Sequence, residues 1–577
     1  MKRIVIALLA LLLCLPTLLI GCNEEPPAGD PNNGGSPNPP AGNGTYVKAE
    51  NYIPTDVFAQ MKAYFDAGDP VFATIDRAYA PFVSTDVFAL SDCKLNSITI
   101  PVFSTRAADE NGDFTFSLYV LPNTWAALCS ELTDLPEPIV IKINAAEYGL
   151  EENKVNRKLI TVDLTEYSIN LSKSETLGFA SFDDTLVPAQ VVTTGTHLVG
   201  GVKDKSAAQK CMIDDWGVVG YYQASGSGGL TYVDDSLFFD FEVERTYKSE
   251  AAYNEMIAAA AQAEADYAAK IAALKAVYNG KSISVLGDSI STFNTVSTDK
   301  NLGLGDNPPY SKYTLGATVY SPAKTYWGKL AAETGMSLNV INSWGSGKVY
   351  GWDKKTTSGS FDFKDAMLRR SYNLSQNGQS PDVILLSYGI NDMGGSYSSI
   401  QNASSSKFSG NMPTGDLYQR LTAADKTKTD KEIVAEWFAE VQAYATQHGF
   451  DPEDPATITF NKANATSDIY TCWEAAYALS VRNILRLHPN AEIYCISLPD
   501  RNHDSSTQPR LDKANLLIRA LAEYFEITFI DQAASGVNRD NSLMYGSDGT
   551  GLHPNGKGHA ALTRAIVETL YEKLQNK

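Results

Sequence analysis

One stretch of this chain, Ile283-Ser-Val-Leu-Gly-Asp-Ser-Ile290, constrains its fold more than any other. Apolar residues continue to Leu286, and Gly287-Asp288-Ser289 then turns the chain. This pattern predicts a buried strand that presents a serine where a helix begins. At such a turn, the serine N–H and the positive end of the helix can face an oxyanion. Gly-Asp-Ser is also common in ordinary turns, so the stretch indicates catalysis only if other residues join it.

From residue 280 onward, short apolar runs alternate with segments of helical periodicity. The apolar runs lie at 282–287, 338–342, 383–388, 492–498 and 526–530, and helical segments lie at 323–334, 471–487, 509–524 and 556–574. Strands that alternate with helices predict a parallel sheet in a three-layer α/β/α fold. Ligands of such sheets bind beyond the carboxyl ends of the strands. We therefore expect the functional residues at strand ends or in the loop after the last strand.

Three further motifs fall at those positions. They are Asn342-Ser-Trp-Gly-Ser-Gly-Lys348, Tyr388-Gly-Ile-Asn-Asp392 and Asp548-Gly-Thr-Gly-Leu-His-Pro-Asn555. Each alone fits a local role: a glycine-rich turn, an asparagine cap, and a His-Pro turn before a helix. Their order on one sheet favours a shared site.

Together these motifs resemble those of the SGNH (GDSL-like) hydrolases, over residues 280–577. The resemblance implies ester hydrolysis through a serine, with Ser289 as the nucleophile and His553 as the general base. It also implies an oxyanion hole made of the Ser289 N–H, the Gly347 N–H and the Asn391 side chain. A serine hydroxyl needs an adjacent base, and the base needs an orienting acceptor.

Two features depart from the family pattern. Gly345 is an alternative to Gly347 as the oxyanion glycine. The family's acidic residue usually lies three positions before the histidine, where this chain has Thr550, whereas Asp548 lies five positions before His553. We predict that Asp548 still orients His553, and a backbone carbonyl is the alternative acceptor.

Other chemistries have weaker support in the sequence. The sequence lacks a Gly-x-Ser-x-Gly elbow, which disfavours the α/β-hydrolase fold. It also lacks a His-Glu-x-x-His motif or a cluster of metal ligands, so no metal or cofactor is expected. Asp288 and Asp392 could be the paired carboxylates of a glycosidase, although the resemblance implies that they shape turns. The histidines interpreted as structural or surface residues are His448, His488 and His503, with His559 as a reserve catalytic candidate.

Residues 47–246 have a different pattern, in which apolar side chains alternate with a period of two. Examples are Phe114 to Val120, Ile139 to Ile143, Leu159 to Leu164 and Leu237 to Val243. Many short strands separated by turn residues predict an all-β, sandwich-like accessory domain. Its aromatic residues could bind a glycan or form core; they are Trp125, Trp216, Tyr221 and Tyr222.

A connecting helix is predicted within residues 247–279. Ser249 to Tyr278 is rich in Ala, Glu and Lys, and Asn279-Gly280 follows it. Ser249 is a suitable N-cap and Gly280 a suitable stop. A long Ala-rich helix could also form an oligomerisation seam, but the heptad pattern is not sustained.

The N-terminus has the pattern of an export signal. Lys2 and Arg3 precede an apolar run that ends in Leu19-Ile-Gly-Cys22. This ending resembles the lipobox of bacterial lipoproteins, which implies a signal peptide at 1–21 and a lipidated Cys22. Residues 22–46, rich in Pro, Gly and Asn, are predicted to be a flexible tether. An ordinary signal peptide or a membrane anchor is the alternative.

Charge and cysteine content restrict the partners. A net charge of −20, with no basic tract, argues against nucleic-acid binding. Beyond Cys14 and Cys22, the sequence has Cys93, Cys129, Cys211, Cys472 and Cys495. Their odd number and the lack of a CxxC motif disfavour a zinc site and leave any disulfide pairing open.

Two regions could shape substrate choice. The polar stretch from Gly394 to about Asn464 is longer than a crossover needs and could overhang the site or be an inert excursion. Four aromatic residues could form a wall for a sugar or be ordinary packing: Tyr310, Tyr313, Tyr320 and Trp344.

These observations favour an extracytoplasmic, lipid-anchored serine esterase that removes acyl groups, expected to be acetyl, from a carbohydrate. The prediction of a carbohydrate substrate rests on the range of substrates in the family and on the β domain that precedes the hydrolase domain. A lipase, lysophospholipase or thioesterase on the same scaffold is one alternative, and a non-catalytic glycan-binding lipoprotein is the other. The membrane is expected to be contacted only through the lipid, at the outer membrane or cell surface, and the sequence leaves the oligomeric state open.

Overall fold

The structure is a computed structural model of the full chain. The residues that it describes are 45–51, 55–67, 72–74, 79–83, 92–105, 107–122, 136–172, 175–179, 186–191, 218–224, 230–237, 240–293, 319, 322–345, 347–349, 367–393, 416–447, 451, 472–500, 508–539, 545 and 552–576. They group into two compact units, one ending at Ala268 and the other beginning at Ala269.

The first unit is built mainly of antiparallel strands. Its strands are β1 (Tyr46–Asn51), β2 (Phe72–Thr74), β3 (Tyr79–Val83), β4 (Cys93–Thr105), β5 (Asp113–Pro122), β6 (Ile139–Asn144), β7 (Val155–Asp163), β8 (Asn170–Leu171), β9 (Glu175–Phe179), β10 (Leu186–Val191), β11 (Val218–Ala224), β12 (Leu230–Leu237) and β13 (Asp240–Tyr247). Two helices, α1 (Thr55–Asp66) and α2 (Ala145–Tyr148), interrupt them. The antiparallel sheets support the all-β character predicted for this region in part, and face-to-face packing as a sandwich stays a prediction.

The pairing of these strands is largely non-local. The hydrogen-bonded order is β1-β13-β4-β10-β12-β11-β3-β9-β5-β6, with β2 beside β10 and with β7 and β8 beside β4. Strand β10 joins two parts of this path, since Leu186 to Pro188 pair with β4 whereas Gln190 and Val191 pair with β12. The predicted alternation places Phe114 and Phe116 in the core, at 0% and 1% exposure.

A single helix, α3 (Glu250–Tyr278), connects the all-β strands to the second unit. The Ser249 hydroxyl oxygen accepts a hydrogen bond from the Ala252 N–H at 3.1 Å, which confirms the predicted N-cap. Gly280 follows the helix in the left-handed conformation, with φ +82°. The boundary between the two units lies inside this helix.

The second unit contains a parallel five-stranded sheet. Its strands are β14 (Ser282–Gly287), β15 (Ser337–Ser343), β16 (Val383–Ser387), β17 (Glu492–Ile496) and β18 (Thr528–Ile530), in the order β15-β14-β16-β17-β18. Strand β16 is apolar up to Ser387, and β14 combines Ile283, Val285 and Leu286 with two serines. This composition suits strands that are buried on both faces.

Helices cover both faces of this sheet. They are α4 (Tyr326–Thr334), α5 (Met367–Arg370), α6 (Leu417–Thr422), α7 (Asp430–Gln447), α8 (Trp473–Leu487), α9 (Gln508–Tyr524) and α10 (Gly556–Gln575). Leu286 and Cys495 share a core cluster with Trp437 of α7. Their neighbour Tyr494 faces the other side, where its hydroxyl contacts the Lys573 ammonium of α10 at 3.3 Å. The predicted α/β/α layering is therefore confirmed for the described residues.

Among the described residues, no helix combines the length and the apolar composition that a bilayer crossing requires.

Candidate active site

The register of the parallel sheet brings three loops to one level. Gly287, the last residue of β14, lies opposite Ser343 of β15 and Ser387 of β16. The segments that follow these residues carry the Gly-Asp-Ser, Asn342–Lys348 and Tyr388–Asp392 motifs. The carboxyl end of the sheet therefore gathers all three motifs.

Ser289 begins a short 3-10 helix, Ser289–Ser291, directly after β14. The preceding Asp288 caps this helix, because its carboxylate accepts a hydrogen bond from the Ile290 N–H at 3.1 Å. Among the described residues, the Ser289 N–H has no acceptor. The role of this N–H as an oxyanion donor stays a prediction.

His553 lies against Ser289, although the two residues are 264 positions apart in the chain. Its Nε2 atom is 3.0 Å from the Ser289 hydroxyl oxygen, and both side chains are buried. Two residues later, Asn555 caps α10 by accepting a hydrogen bond from the Gly558 N–H at 3.0 Å. The start of α10 therefore fixes the approach of the histidine to the serine.

Asn391 lies on a 3-10 helix, Ile390–Asp392, that follows β16. Its side-chain amide donates to the Gly347 carbonyl at 3.0 Å. An amide NH₂ group has two hydrogens, so one remains for a ligand. The structure thus brings Asn391 and Gly347 into contact.

The glycine predicted for the oxyanion hole has its own N–H in a turn. The Gly347 N–H donates to the Trp344 carbonyl at 2.9 Å, and a side chain at Gly347 would place its Cβ 2.3 Å from the Tyr388 hydroxyl oxygen. Close packing on Tyr388 therefore requires glycine there. The N–H of Gly345, the alternative, has no acceptor among the described residues. The choice between the two glycines stays a prediction.

Two buried aspartates connect the loops. Asp392 accepts a hydrogen bond from the Val349 N–H at 3.0 Å, which joins the third motif to the second. The Asp288 N–H donates to the Ser387 carbonyl at 3.1 Å, which joins the first motif to the strand end that precedes the third. Burial raises the pKa of the Asp288 carboxyl to about 6, and the Ile290 N–H is the largest of the contributions that oppose this shift.

Two further histidines, His559 and His488, make contacts in the packing of the helices rather than with Ser289. His559 is buried, its Nδ1 accepts from the Tyr326 N–H at 3.2 Å, and burial lowers its pKa to about 3. This histidine is therefore neutral at ordinary pH and serves the packing of α10 on α4. His488, at the end of α8, lies 2.9 Å from the Ser380 hydroxyl.

Several predicted features lie outside the described residues. They are the signal peptide, Cys22 and the tether, Asp548, His448, His503, Trp125, Trp216, Tyr310, Tyr313, Tyr320, Cys129, Cys211, the side chains of Tyr221 and Tyr222, and most of the 394–464 stretch. Their roles stay predictions. The described cysteines, Cys93, Cys472 and Cys495, are buried, and no disulfide joins any two of them.

Two contacts that support the site loops could not be predicted from the sequence. The buried Tyr326 hydroxyl lies 2.8 Å from the Ser291 hydroxyl, beneath the nucleophile turn. The buried Arg510 guanidinium donates to the Met393 carbonyl at 2.8 Å, just after Asn391 and Asp392. Neither residue lies in a recognisable motif, so only the folded chain could reveal them.

Residues 285–561 match the profile of the GDSL-like lipase/acylhydrolase family. The matched residues lie in the second unit, and we refer to this part of the chain below as the GDSL-like domain because of this likeness. In this GDSL-like domain, the profile spans all four motifs, from the end of β14 to the start of α10. A comparison with curated proteins gives no match.

Solved structures give further likenesses. A protein described as a GDSL-like lipase from Bacteroides ovatus is 18% identical, covers 51% of this chain and 99% of its own, and has a TM-score of 0.28. A family two carbohydrate esterase from Clostridium thermocellum, in complex with cellohexaose, is 13% identical, with 84% and 91% covered and a TM-score of 0.26. Est24, a carbohydrate acetylesterase from Sinorhizobium meliloti, is 11% identical, with 51% and 99% covered and a TM-score of 0.25. Likeness at this level carries no argument about the substrate.

Proposed function

We propose that the GDSL-like domain is a serine esterase that hydrolyses acyl esters, with an acetylated carbohydrate as its substrate. The observation that carries this proposal is the 3.0 Å contact between the Ser289 hydroxyl oxygen and His553 Nε2 at the carboxyl end of the sheet. A nucleophile within hydrogen-bond reach of a base is the arrangement that acyl transfer requires.

The first half of the reaction would form an acyl-enzyme. The Ser289 oxygen attacks the ester carbonyl carbon, its proton passes to His553 Nε2, and the carbonyl electrons move to the oxygen. The Ser289 N–H, a glycine N–H and the free hydrogen of the Asn391 amide would stabilise that oxyanion. The intermediate then collapses, the ester C–O bond breaks, and the leaving alcohol takes the proton from Nε2.

The second half would reverse these roles with water. His553 takes a proton from water, the hydroxide oxygen attacks the acyl carbon, and a second oxyanion forms in the same hole. Its collapse releases the carboxylic acid and returns the proton to Ser289. Asp548 or a backbone carbonyl would hold the imidazole in the tautomer that leaves Nε2 as the acceptor.

The choice of carbohydrate over lipid rests on two features. An all-β unit precedes the GDSL-like domain, and such units often accompany hydrolases of polysaccharides. The sequence from 395 to 430 is polar rather than strongly apolar, which does not suit a lid for a lipid chain. These features support the substrate class without naming the sugar.

The test is ester hydrolysis by the full chain, purified in detergent, beside Ser289→Ala. We expect release of p-nitrophenol from p-nitrophenyl acetate and of acetate from acetylated xylan or glucomannan, both abolished in Ser289→Ala. An Asp548→Ala variant should lose most of this activity if the carboxylate orients His553, and should stay near the wild-type rate if a carbonyl does.

Each alternative predicts a different result. Faster turnover of long-chain than of acetyl esters would favour a lipase or thioesterase. Equal rates for wild type and Ser289→Ala on all esters would overturn the esterase, and glycan binding by the same protein would then support the binding-protein alternative.

We also propose that the chain is exported and anchored by lipid at Cys22. The basic start, the apolar run and the Leu-Ile-Gly-Cys ending support this. In cells fed a labelled fatty acid, wild type should take up label and sediment with membranes, whereas Cys22→Ser should do neither. Label in the Cys22→Ser variant would contradict the proposed anchor.

A further inference from the structure

The first turn of α4 is bonded to the turn that presents Ser289. The Tyr326 hydroxyl lies 2.8 Å from the Ser291 hydroxyl, and the Trp327 indole N–H donates to the Ser291 carbonyl at 3.0 Å. Tyr326, Trp327 and Ser291 are all 0% exposed. Two side chains of α4 thus hold the hydroxyl and the carbonyl of the residue that ends the 3-10 helix Ser289–Ser291.

Hydrogen bonds inside the nucleophile turn connect Ser291 to Ser289. The Ser291 N–H donates to the carbonyl of Asp288, the residue before Ser289, at 3.1 Å. Thr292, the residue after Ser291, donates to the Ser289 carbonyl through its N–H at 3.1 Å and through its hydroxyl at 2.8 Å. Because the turn is bonded to itself in this way, a displacement of Ser291 would displace the backbone of Ser289 as well.

The same turn of α4 is attached to the helix that follows His553. The Tyr326 N–H donates to the Nδ1 atom of His559 at 3.2 Å, and the Tyr326 carbonyl accepts from the Thr563 hydroxyl at 3.2 Å. Both partners belong to α10, which begins three residues after His553. Burial lowers the pKa of His559 to about 3, so its ring is neutral and Nδ1 can accept. Helix α10 thus holds the backbone of Tyr326.

Tyr326 therefore connects the two members of the proposed catalytic pair. Its hydroxyl contacts the turn of Ser289, and its backbone is held by the helix whose start carries His553. The 3.0 Å contact between Ser289 and His553 completes a ring of contacts. Such a frame matters for proton transfer, because a misplacement of about 1 Å can cost on the order of 100-fold in rate.

The surroundings of the Tyr326 hydroxyl favour a fixed hydrogen bond. Burial raises the pKa of this hydroxyl, so the group keeps its proton at the pH of an esterase assay. A buried hydroxyl that loses its partner keeps the cost of its desolvation. The bond to Ser291 is therefore expected to persist throughout the reaction.

We propose that Tyr326 is a positioning residue of the esterase reaction: its hydroxyl holds the Ser289 turn at the distance from His553 that proton transfer requires. This inference rests on the proposed esterase function. Since Tyr326 is 0% exposed, it acts through Ser291 rather than by contact with a substrate. It lies outside the four motifs.

The experiment compares Tyr326→Phe, Ser291→Ala and the double variant with wild type, in the full chain purified in detergent. The two single variants remove the same hydrogen bond from opposite sides. We expect each to lose about 10-fold in kcat on p-nitrophenyl acetate with KM changed less than about twofold, because formation and breakdown of the acyl-enzyme both need His553 beside the Ser289 oxygen. The double variant should lose no more than either single variant, since all three lack one shared bond.

A tyrosine at the other end of the sheet provides a matched control. Tyr278 is 2% exposed, and its hydroxyl donates to the carboxylate of Glu492, the first residue of β17, at 2.9 Å. Tyr278→Phe removes the same group from a similar buried bond, at the amino end of the strands. It should have a lower melting temperature and the wild-type kcat.

Inactivation by diisopropyl fluorophosphate separates positioning from a general loss of structure. The Ser289 oxygen attacks phosphorus, fluoride leaves, and His553 takes the serine proton, so the rate depends on the geometry of this pair. We expect Tyr326→Phe to slow inactivation about as much as it lowers kcat. A loss of folded protein would lower the amount that reacts but not the rate of the remainder. If Tyr326→Phe does not fold, as judged by circular dichroism, Ser291→Ala gives the same comparison.

The outcomes are distinct. Wild-type kcat and a wild-type inactivation rate in the folded single variants would overturn the positioning role and leave the esterase intact. Losses that add up in the double variant, or an equal loss in Tyr278→Phe, would also overturn it, because the shared bond would then not be the cause. Failure of the esterase proposal would appear in wild type, as ester hydrolysis that Ser289→Ala retains, and would overturn both proposals.

Discussion

At the scale of single residues, the two hydrogens of the Asn391 amide would have different roles in the proposed esterase. One hydrogen bonds the Gly347 carbonyl at 3.0 Å, and the other is left for a developing oxyanion. The bond to the Gly347 carbonyl sets the direction in which the second hydrogen points. The side chain is therefore pre-organised before a substrate arrives.

Replacing this donor should impair turnover more than binding. In Asn391→Asp the shape is nearly unchanged, but the donor is lost and the carboxylate would repel the Gly347 carbonyl. We expect kcat to fall by about 10²–10³-fold, measured with p-nitrophenyl acetate. Asn170→Asp is a control, because Asn170 makes a similar 3.0 Å bond to the Ser168 carbonyl in the first unit. A loss of less than threefold would remove Asn391 from the oxyanion hole.

The burial of the Asp288 carboxyl should make the stability of the folded state depend on pH. Burial raises its pKa from 3.8 to about 6, so the folded state binds this proton more tightly than the unfolded state does. The stability that protonation adds is fully present below the unfolded pKa and is lost as the pH rises through the folded pKa. The size is on the order of 3 kcal/mol.

Asp288→Asn lacks this titration and provides the comparison. Above about pH 7, where the wild-type carboxyl is ionised, the melting temperature of the variant should gain most relative to wild type. This gain should shrink as the pH falls towards 4. Thermal melts across that range give the result. A difference that does not change with pH would show that the carboxyl does not titrate in this interval.

At the scale of elements, α10 determines where His553 lies. Its first turn is capped by Asn555, whose backbone N–H also donates to the Tyr545 carbonyl at 2.8 Å. His559, one turn further along α10, accepts a hydrogen bond from the Tyr326 N–H through its Nδ1 atom and thereby joins α10 to α4. The histidine loop is thus attached at its end to a helix that is itself held on the sheet.

Removing the cap should affect stability and catalysis together. We expect Asn555→Ala to lower the free energy of unfolding by about 1 kcal/mol. It should also lower kcat, since the start of α10 becomes free to shift His553. Asn555→Asp, which can cap equally well, should stay close to wild type in both measurements. Urea titration and steady-state kinetics test this, and a kcat unaffected in Asn555→Ala would contradict the coupling.

A second set of contacts attaches the end of α3 to the sheet. The Tyr278 hydroxyl donates to the Glu492 carboxylate at 2.9 Å, and Tyr494 donates to the same carboxylate at 2.6 Å. The Lys573 ammonium of α10 lies 3.2 Å from it. This arrangement makes the last turns of α3 part of the second unit.

At the scale of the whole molecule, the division into units does not follow the change in sequence pattern. The sequence predicted the hydrolase domain from residue 280, whereas the second compact unit begins at Ala269. The intervening turns bury Leu274 and Tyr278 at 0% and 2% exposure and pair Lys270 with Glu568. These contacts are internal to the second unit.

Fragments can test this boundary. A fragment of residues 269–577 should unfold at the urea concentration of the second unit in the full chain. A fragment of 280–577 loses the buried Leu274 and Tyr278, which should cost on the order of 4 kcal/mol. Equal unfolding midpoints for the two fragments would show that the end of α3 contributes nothing.

The sequence by itself determined the local features of this protein. Each predicted strand and helix of the second unit has its counterpart, because hydrophobic period and turn residues act over a few neighbours. The same local signals identified Ser289, Asn391 and His553 as residues at strand ends and in the last loop. The resemblance, rather than the pattern, supplied their expected roles.

Only the tertiary structure decided which distant residues meet. The order β15-β14-β16-β17-β18, the pairing of β1 with β13, and the approach of His553 to Ser289 across 264 positions all depend on non-local contacts. The same holds for the burial of Asp288, which the sequence showed only as a turn residue. Local preferences fix what a segment becomes, but burial, register and the pKa of a carboxyl arise only when segments far apart in the chain pack together.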